Sequence, residues 1–202
     1  MSFLRDPKHR ADGAMLLVTV FWGLTFPLIR SAVQDLSPHV FVATRFWLGV
    51  ALFLPLVLAS PGARRGLRAA LLPGAVLGLV GWGSYVSQTI GLQTVGAGRA
   101  AFVTGTSVIL VPFLSPLFRA GRPRPIEYAA AAVALGGMYL LTDPRGGGLA
   151  VGDLWVFGCA VLYAVYIHVL QIFLRRRPDP TALAFTQVVG VAVPATASLL
   201  LL

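Results

Sequence analysis

Charge is what this sequence has least of. Only 11% of its 202 residues are Asp, Glu, Lys or Arg, where an ordinary soluble domain carries roughly 25%. That is too little to coat a water-facing globule of this length, so a soluble enzyme is excluded. Acids are scarcest, with 7 Asp and Glu against 16 Lys and Arg. None falls in the centre of an apolar run, and Glu127 stands at the start of one. Coupling to an ion gradient through a membrane carboxylate therefore has no support. Lysine occurs once, at Lys8, and no glycine-rich phosphate loop precedes a lysine, which argues against ATP-driven chemistry. One cysteine, Cys159, rules out an intramolecular disulfide. No neighbouring cation would stabilise its thiolate, so buried packing is its expected role. The 3 histidines form no cluster with acids or cysteine. No metal and no cofactor is expected, and no enzyme activity.

What the chain does have is long apolar runs. Hydrophobic residues make up 57% and the mean hydropathy is +0.81. A membrane-spanning helix needs about 20 mostly apolar residues. Seven segments approach or meet that, at about 14–33, 40–59, 69–92, 97–118, 126–141, 154–174 and 181–202. The connections at 61–62, 121–125, 143–148 and 175–180 carry turn residues or helix starts. The first run is too long for a signal-peptide core. The expected fold class is an all-α integral membrane protein, a polytopic helix bundle.

The net charge of +9 would suggest nucleic acid in a soluble protein, but here the basic residues sit in short clusters between apolar runs. Arg5, Lys8 and Arg10 precede the first run, Arg64, Arg65 and Arg68 follow the second, Arg119, Arg122 and Arg124 follow the fourth, and Arg175, Arg176 and Arg177 follow the sixth. The opposite side holds only Arg99 and Arg145, with Arg30 near it. By the positive-inside rule the segment 1–12 and all the clusters are cytoplasmic; the expected location is the inner membrane of a bacterium. The partners expected are lipid bilayer and a small-molecule solute, not nucleic acid.

A weak internal repeat is present. Gly13, Ala14, Met15 and Leu16 open one span as Gly152, Asp153, Leu154 and Trp155 open another. Leu36, Ser37 and Pro38 correspond to Pro178, Asp179 and Pro180, and Ala43, Thr44, Arg45 and Phe46 fall opposite Phe185, Thr186, Gln187 and Val188. A five-helix unit is odd, so its second copy enters the membrane from the other face, the inverted-repeat plan of secondary transporters. The expected units are 13–142, complete, and 152–202, the first two helices of a second, which makes the chain a fragment of a ten-helix protein.

The first unit resembles the EamA family of the drug/metabolite transporter superfamily. Trp22 and Gly23, then Phe26 and Pro27, stand in the first helix, and Ser37, Pro38, Arg45 and Phe46 look like the family's Ser-Pro and Arg-Phe signature. Tyr85, Gln88, Gly91 and Leu92 follow, then Ala97 to Ala101, Pro112, and a closing Leu135, Gly136, Gly137. Where the family often has Gly-Glu, this chain has Gly121 and Arg122. The resemblance implies an exporter of two inverted five-helix units, with the first four helices of each around a cavity and the fifth at the edge, offered for homodimer contacts.

Arg45 is the one charge well inside a span, about 10 Å from the nearer end at 1.5 Å per residue. Charge at that depth is costly and functional by default; it attracts a carboxylate or phosphate, or else caps carbonyls or snorkels outward. Tyr85 and Gln88 share a helical face at a similar depth and either line a cavity with Arg45 or bond between helices. Trp22 and Phe26 share a face beside the kink-prone Pro27, as cavity wall or as packing. Thr104 and Ser107 line the cavity or bond their own helix, and Pro112 and Pro116 bend it. Tyr163 and Tyr166 lie nearer mid-membrane than His168 and Gln171, which share another face. Gly81, Gly83, Gly96, Gly98 and Gly105 are candidates for close helix approach.

The leading reading is a secondary transporter, an exporter of a small organic metabolite or drug-like solute working by alternating access. The alternative is a seven-helix receptor or sensor, against which the single lysine and the N-terminus-inside topology argue; an intramembrane protease lacks a serine and histidine in a persuasive motif. With Cys159 first replaced by serine, Arg64→Cys and Arg122→Cys are expected to react with an impermeant maleimide from one face of the membrane only, and Gly96→Cys from the other. Labelling of Arg64→Cys and Arg122→Cys from opposite faces would overturn the topology.

Overall fold

The computed structural model describes residues 7–119, 121–141 and 150–200, and every regular element among them is helical. The helices are α1 (Pro7–Asp35), α2 (Pro38–Ala59), α3 (Pro61–Thr94), α4 (Ala97–Gly105), α5 (Ser107–Leu114), α6 (Pro125–Leu141), α7 (Val151–Leu174) and α8 (Pro180–Leu199). Six spans are long and apolar enough to cross a membrane, α4 and α5 together making one of them. The seventh expected span, α6, has 17 residues, the short end of the spanning range. The expected turn at 143–148, and Arg5 and Arg145, lie outside the described residues.

Local chemistry sets the boundaries more sharply than hydropathy does. Apolarity alone starts the third span near 69, but α3 begins at Pro61, in the first turn where a missing N–H costs nothing. The Ser60 hydroxyl accepts from the Ala63 amide at 3.2 Å and caps it. At 34 residues, α3 is about 51 Å long and carries Arg64, Arg65 and Arg68 beyond its apolar stretch. α1 runs through Pro27 unbroken. The fourth span is instead interrupted at Thr106, six residues before Pro112, where the Thr106 amide turns back three residues to Val103 and its hydroxyl bonds the same carbonyl at 2.6 Å.

α3 is the axis of the bundle and packs on α1, α2, α4, α7 and α8, whereas α6 touches only α4 and α5. Lipid is as apolar as leucine, so hydrophobic burial does little to drive these helices together; van der Waals contact and interhelical hydrogen bonds must. The sequence meets this with backbone-to-backbone crossings. A Cβ at Gly78 would overlap the backbone of Gly190, one at Gly74 would overlap Thr186, and Gly91 faces Gly152 and Val156 in the same way. Thr186 also donates across the crossing to the Ala70 carbonyl at 3.0 Å. Of the glycines marked for close approach from sequence, Gly98 and Gly105 meet nothing within 4 Å. α2 is tied to α8 by Trp47 Nε1 donating to Thr196 Oγ1 at 2.8 Å and by His39 and Ser198 at 2.9 Å.

The two ends of the bundle differ in charge. Arg64, Arg65, Arg68, Arg119, Arg122, Arg124 and Arg175 to Arg177 are exposed at the end where α3, α6 and α8 begin. At the other end both described arginines are engaged. Arg30 donates to the carbonyl of Val95, the C-cap of α3, and Arg99 pairs with Asp153 at 2.8 Å. Asp153 is 5% exposed and also accepts from the Ala150 amide at 2.8 Å, opening α7. Positive charge free to face water is thus gathered at one end.

Gly78→Val is expected to lower stability by about 1–3 kcal/mol through overpacking, read as an earlier unfolding midpoint in detergent. Gly136→Ala, where a Cβ meets nothing within 4 Å, is expected to be neutral or to gain up to about 1 kcal/mol of helix propensity. Equal effects of the two would show that the close crossing does not hold the bundle.

Candidate functional site

A cavity of about 420 Å³ lies among α1, α2, α3, α4 and α7. Helical periodicity delivers its wall. Val18, Phe21, Trp22 and Thr25 form one face of α1, Ser84, Tyr85 and Gln88 one face of α3, and Cys159 and Tyr163 are one turn apart on α7. α2 contributes Arg45 and α4 contributes Thr104. Six of the nine residues singled out from sequence therefore meet in one space: Trp22, Arg45, Tyr85, Gln88, Thr104 and Tyr163. The shared depth argued from helix rise is matched by contact, with the Arg45 guanidinium carbon 5.5 Å from the Tyr85 ring centroid.

The other three do not line it. Phe26 is a turn beyond, 5% exposed in a packed cluster, and Ser107 is 2% exposed next to the break in the fourth span. Tyr166 stands behind Tyr163, with rings stacked at 5.7 Å, and its hydroxyl donates to Gln187 at 2.9 Å. His168 and Gln171 also point elsewhere. His168 is buried, its Nε2 bonds the Val111 carbonyl at 2.8 Å, and its ring stacks on Phe118 at 4.8 Å.

The electrostatics centre on Arg45. It is only half-buried and makes no hydrogen bond or ion pair with the described residues, unlike Arg99, which pairs with Asp153. Its neighbours are ring faces, Tyr85 at 5.5 Å and Phe46 at 5.9 Å, and those two rings lie 4.8 Å apart. Placing arginine at the centre of a membrane helix costs about 2.5–3.5 kcal/mol on insertion scales. A cation–π contact returns roughly 0.5–2 kcal/mol, so the rings offset part of that cost and the cation keeps a need for a polar partner in the cavity. No carbonyl among the described residues accepts from it.

The rest of the wall is neutral. Gln88 Nε2 donates to Thr104 at 3.3 Å. The Ser84 hydroxyl donates to the Cys159 carbonyl at 3.1 Å and lies 3.3 Å from its thiol. Trp22 and Tyr163 meet at 5.7 Å and give an aromatic side. No group of three or more His, Cys, Asp or Glu among the described residues is arranged to hold a metal. Cys159, read from sequence as packing, is buried but contributes to the wall, and Ser84, Phe21, Val18 and Thr25 were not among the chosen cavity residues. The available signal was spacing, three or four residues from a chosen position for Val18, Thr25, Ser84 and Cys159, and adjacency to Trp22 for Phe21.

Beyond one end of the cavity the helices pack closely. Phe26, Ile29 and Val33 of α1, Leu92 and Val95 at the end of α3, Ala100 and Val103 of α4 and Val156 of α7 form a single packed layer. On every helix these residues lie beyond the cavity positions on the same side, the side of Arg30 and Arg99. The Arg99–Asp153 pair joins the starts of α4 and α7 at that end.

Residues 9–143 match the EamA-like transporter family. Relatives include an uncharacterized transporter of Archaeoglobus fulgidus, 30% identical over 177 residues that cover 88% of this chain and 54% of the relative. The uncharacterized inner membrane transporter YedA of Escherichia coli K12 is 31% identical over 147 residues, 71% of this chain and 46% of the relative. The uncharacterized transporter YyaM of Bacillus subtilis is 25% identical over 193 residues, 91% of this chain and 63% of the relative. The chain thus spans about half the length of the first two. No solved structure matches it.

Proposed function

Because this chain belongs to the EamA-like transporter family, we propose that it moves a small organic solute across the cytoplasmic membrane, with the cavity between α1, α2, α3, α4 and α7 as the solute site. The observation that carries the reading is the membrane-embedded cavity itself, lined by an unpaired cation, neutral hydrogen-bonding groups and aromatic rings. Solute sites combine an apolar wall with a few polar groups that fix orientation, and secondary transporters hold theirs near the bilayer midplane. The packed layer beside Arg30 and Arg99 supports alternating access, since close packing beyond one end of the cavity suits one of the two states that scheme needs.

In this reading residues 13–142 are one five-helix unit and 152–202 open a second of opposite entry, and transport is rocking of one unit against the other. The N-terminus lies in the cytoplasm, supported by the nine exposed arginines at the end where α3, α6 and α8 begin. Export is the direction proposed. α6 packs only on α4 and α5 and exposes Val133, Leu135 and Leu140, which supports a homodimer contact through it. The seven-helix receptor reading is set aside, because the family and the named relatives are transporters.

The complete gene product in vesicles loaded with a mixture of small metabolites is expected to release at least one organic solute several-fold faster than protein-free vesicles. Arg45→Ala and Tyr85→Ala are each expected to cut that release at least about tenfold, the effect of about 1.4 kcal/mol, with insertion unchanged. Normal release by both variants would remove the site, and no release above empty vesicles would remove the transporter.

A further inference from the structure

We propose that the cavity selects solutes bearing one carboxylate on a flat apolar body, with Arg45 as the counter-charge. This rests on the solute-site reading above and narrows it to a chemical class.

The sign comes from an inventory of acids. The chain has 7. Asp12 and Asp35 lie at the two ends of the apolar stretch of α1, and Glu127 accepts from the Arg124 amide ahead of α6. Asp153 is committed to Arg99 and the start of α7, and Asp179 caps α8 through the Ala182 amide. Asp6 and Asp143 are outside the described residues. None of the five described acids lines the cavity. Among the described residues Arg45 therefore has no anion provided for it, and a cationic solute would meet like charge in a medium that screens poorly.

The number of charges follows from there being one cation. A carboxylate carries a single negative charge, which one guanidinium neutralises. A phosphate monoester carries about 1.5 to 2 negative charges near neutral pH and would leave the excess among neutral walls, where an unpaired charge is strongly disfavoured. The shape of the guanidinium also fits. With Tyr85 and Phe46 against its carbon at 5.5 and 5.9 Å, and no N–H committed elsewhere, its planar fork is free to take a carboxylate through two parallel hydrogen bonds.

The body of the solute is read from the opposing wall. Trp22 and Tyr163, 5.7 Å apart, present ring surface with Phe21 beside them. One bond joins Gln88 Nε2 to Thr104 at 3.3 Å, leaving the second N–H and the carbonyl oxygen of Gln88 for a polar group on an otherwise apolar plate. A free amino group would find only neutral oxygen acceptors.

The experiment titrates the full chain in detergent with phenylacetate, phenyl phosphate, phenylacetamide and benzylamine, four probes sharing one ring, and follows intrinsic tryptophan fluorescence, to which Trp22 contributes from the cavity wall. Phenylacetate is expected to saturate at least tenfold more tightly than each of the other three. Arg45→Gln is expected to reduce the gap between phenylacetate and phenylacetamide to less than twofold, and Arg45→Lys, which keeps the charge but loses the fork, to retain an intermediate preference. The wild-type ranking decides the matter even if a variant fails to fold. Benzylamine or phenylacetamide binding as tightly as phenylacetate overturns the carboxylate class while leaving the cavity as a binding site. Tightest binding of phenyl phosphate overturns the single-charge argument. No saturable response to phenylacetate also overturns the class, and the vesicle release measurement then decides the broader reading on its own.

Discussion

The approach of α3 to α7 and α8, backbone against backbone, is the constraint from which the rest of this structure follows. In lipid, burying a leucine gains little over leaving it among acyl chains, so helices associate where close contact and interhelical hydrogen bonds are available. Gly74 and Gly78 on α3 admit Thr186 and Gly190 of α8, and Gly91 admits Gly152 and Val156 of α7. These crossings fix α3 as the axis. The same side of α3, between its crossings with α7 and α8, carries Ser84, Tyr85 and Gln88, and the cavity exists because α1, α2 and α4 stand around them without filling it.

The same solvent logic governs the charges. Outside water a charge must be paired, hydrogen-bonded or carried to the interface. Most of this chain's charges obey that plainly, with exposed arginines at one end, Arg30 on a helix-terminal carbonyl and Arg99 on Asp153 at the other. Arg45 does not. It lies among aromatic rings with no hydrogen bond or ion pair to the described residues, which is the feature on which the proposed solute site rests. The packed layer of Phe26, Ile29, Leu92 and Val156 lies beyond it on the side of Arg30 and Arg99.

Much of this was legible in the order of residues. Period and depth put Arg45, Tyr85 and Gln88 at one level, whereas on α1 the i, i+4 spacing paired Trp22, which lines the cavity, with Phe26, which falls one turn past it into the packed cluster, and missed Val18, Phe21 and Thr25. Hydropathy located the spans but misjudged the start of α3 by eight residues, since a Ser60 cap and Pro61 initiate helix where apolarity has not begun. The glycines marked for close approach were Gly81, Gly83, Gly96, Gly98 and Gly105, and the tightest crossings proved to be at Gly74, Gly78 and Gly91, opposite Thr186, Gly190 and Gly152 on other helices. Nothing along the chain marks that opposition. Asp153 read as a repeat marker; only the fold brings it to Arg99, 54 residues away.

The sequence by itself determined the solvent, the helices and the segregation of positive charge, because each depends on local composition and on the peptide group's need for a partner within its own segment. The tertiary structure decided which faces meet. It made a cavity wall of Cys159 and Ser84, sent Ser107 and His168 into packing, and left Arg45 unpaired. Those outcomes rest on distances between residues far apart in the chain, and periodicity along one helix says which face a side chain is on but not what stands across from it.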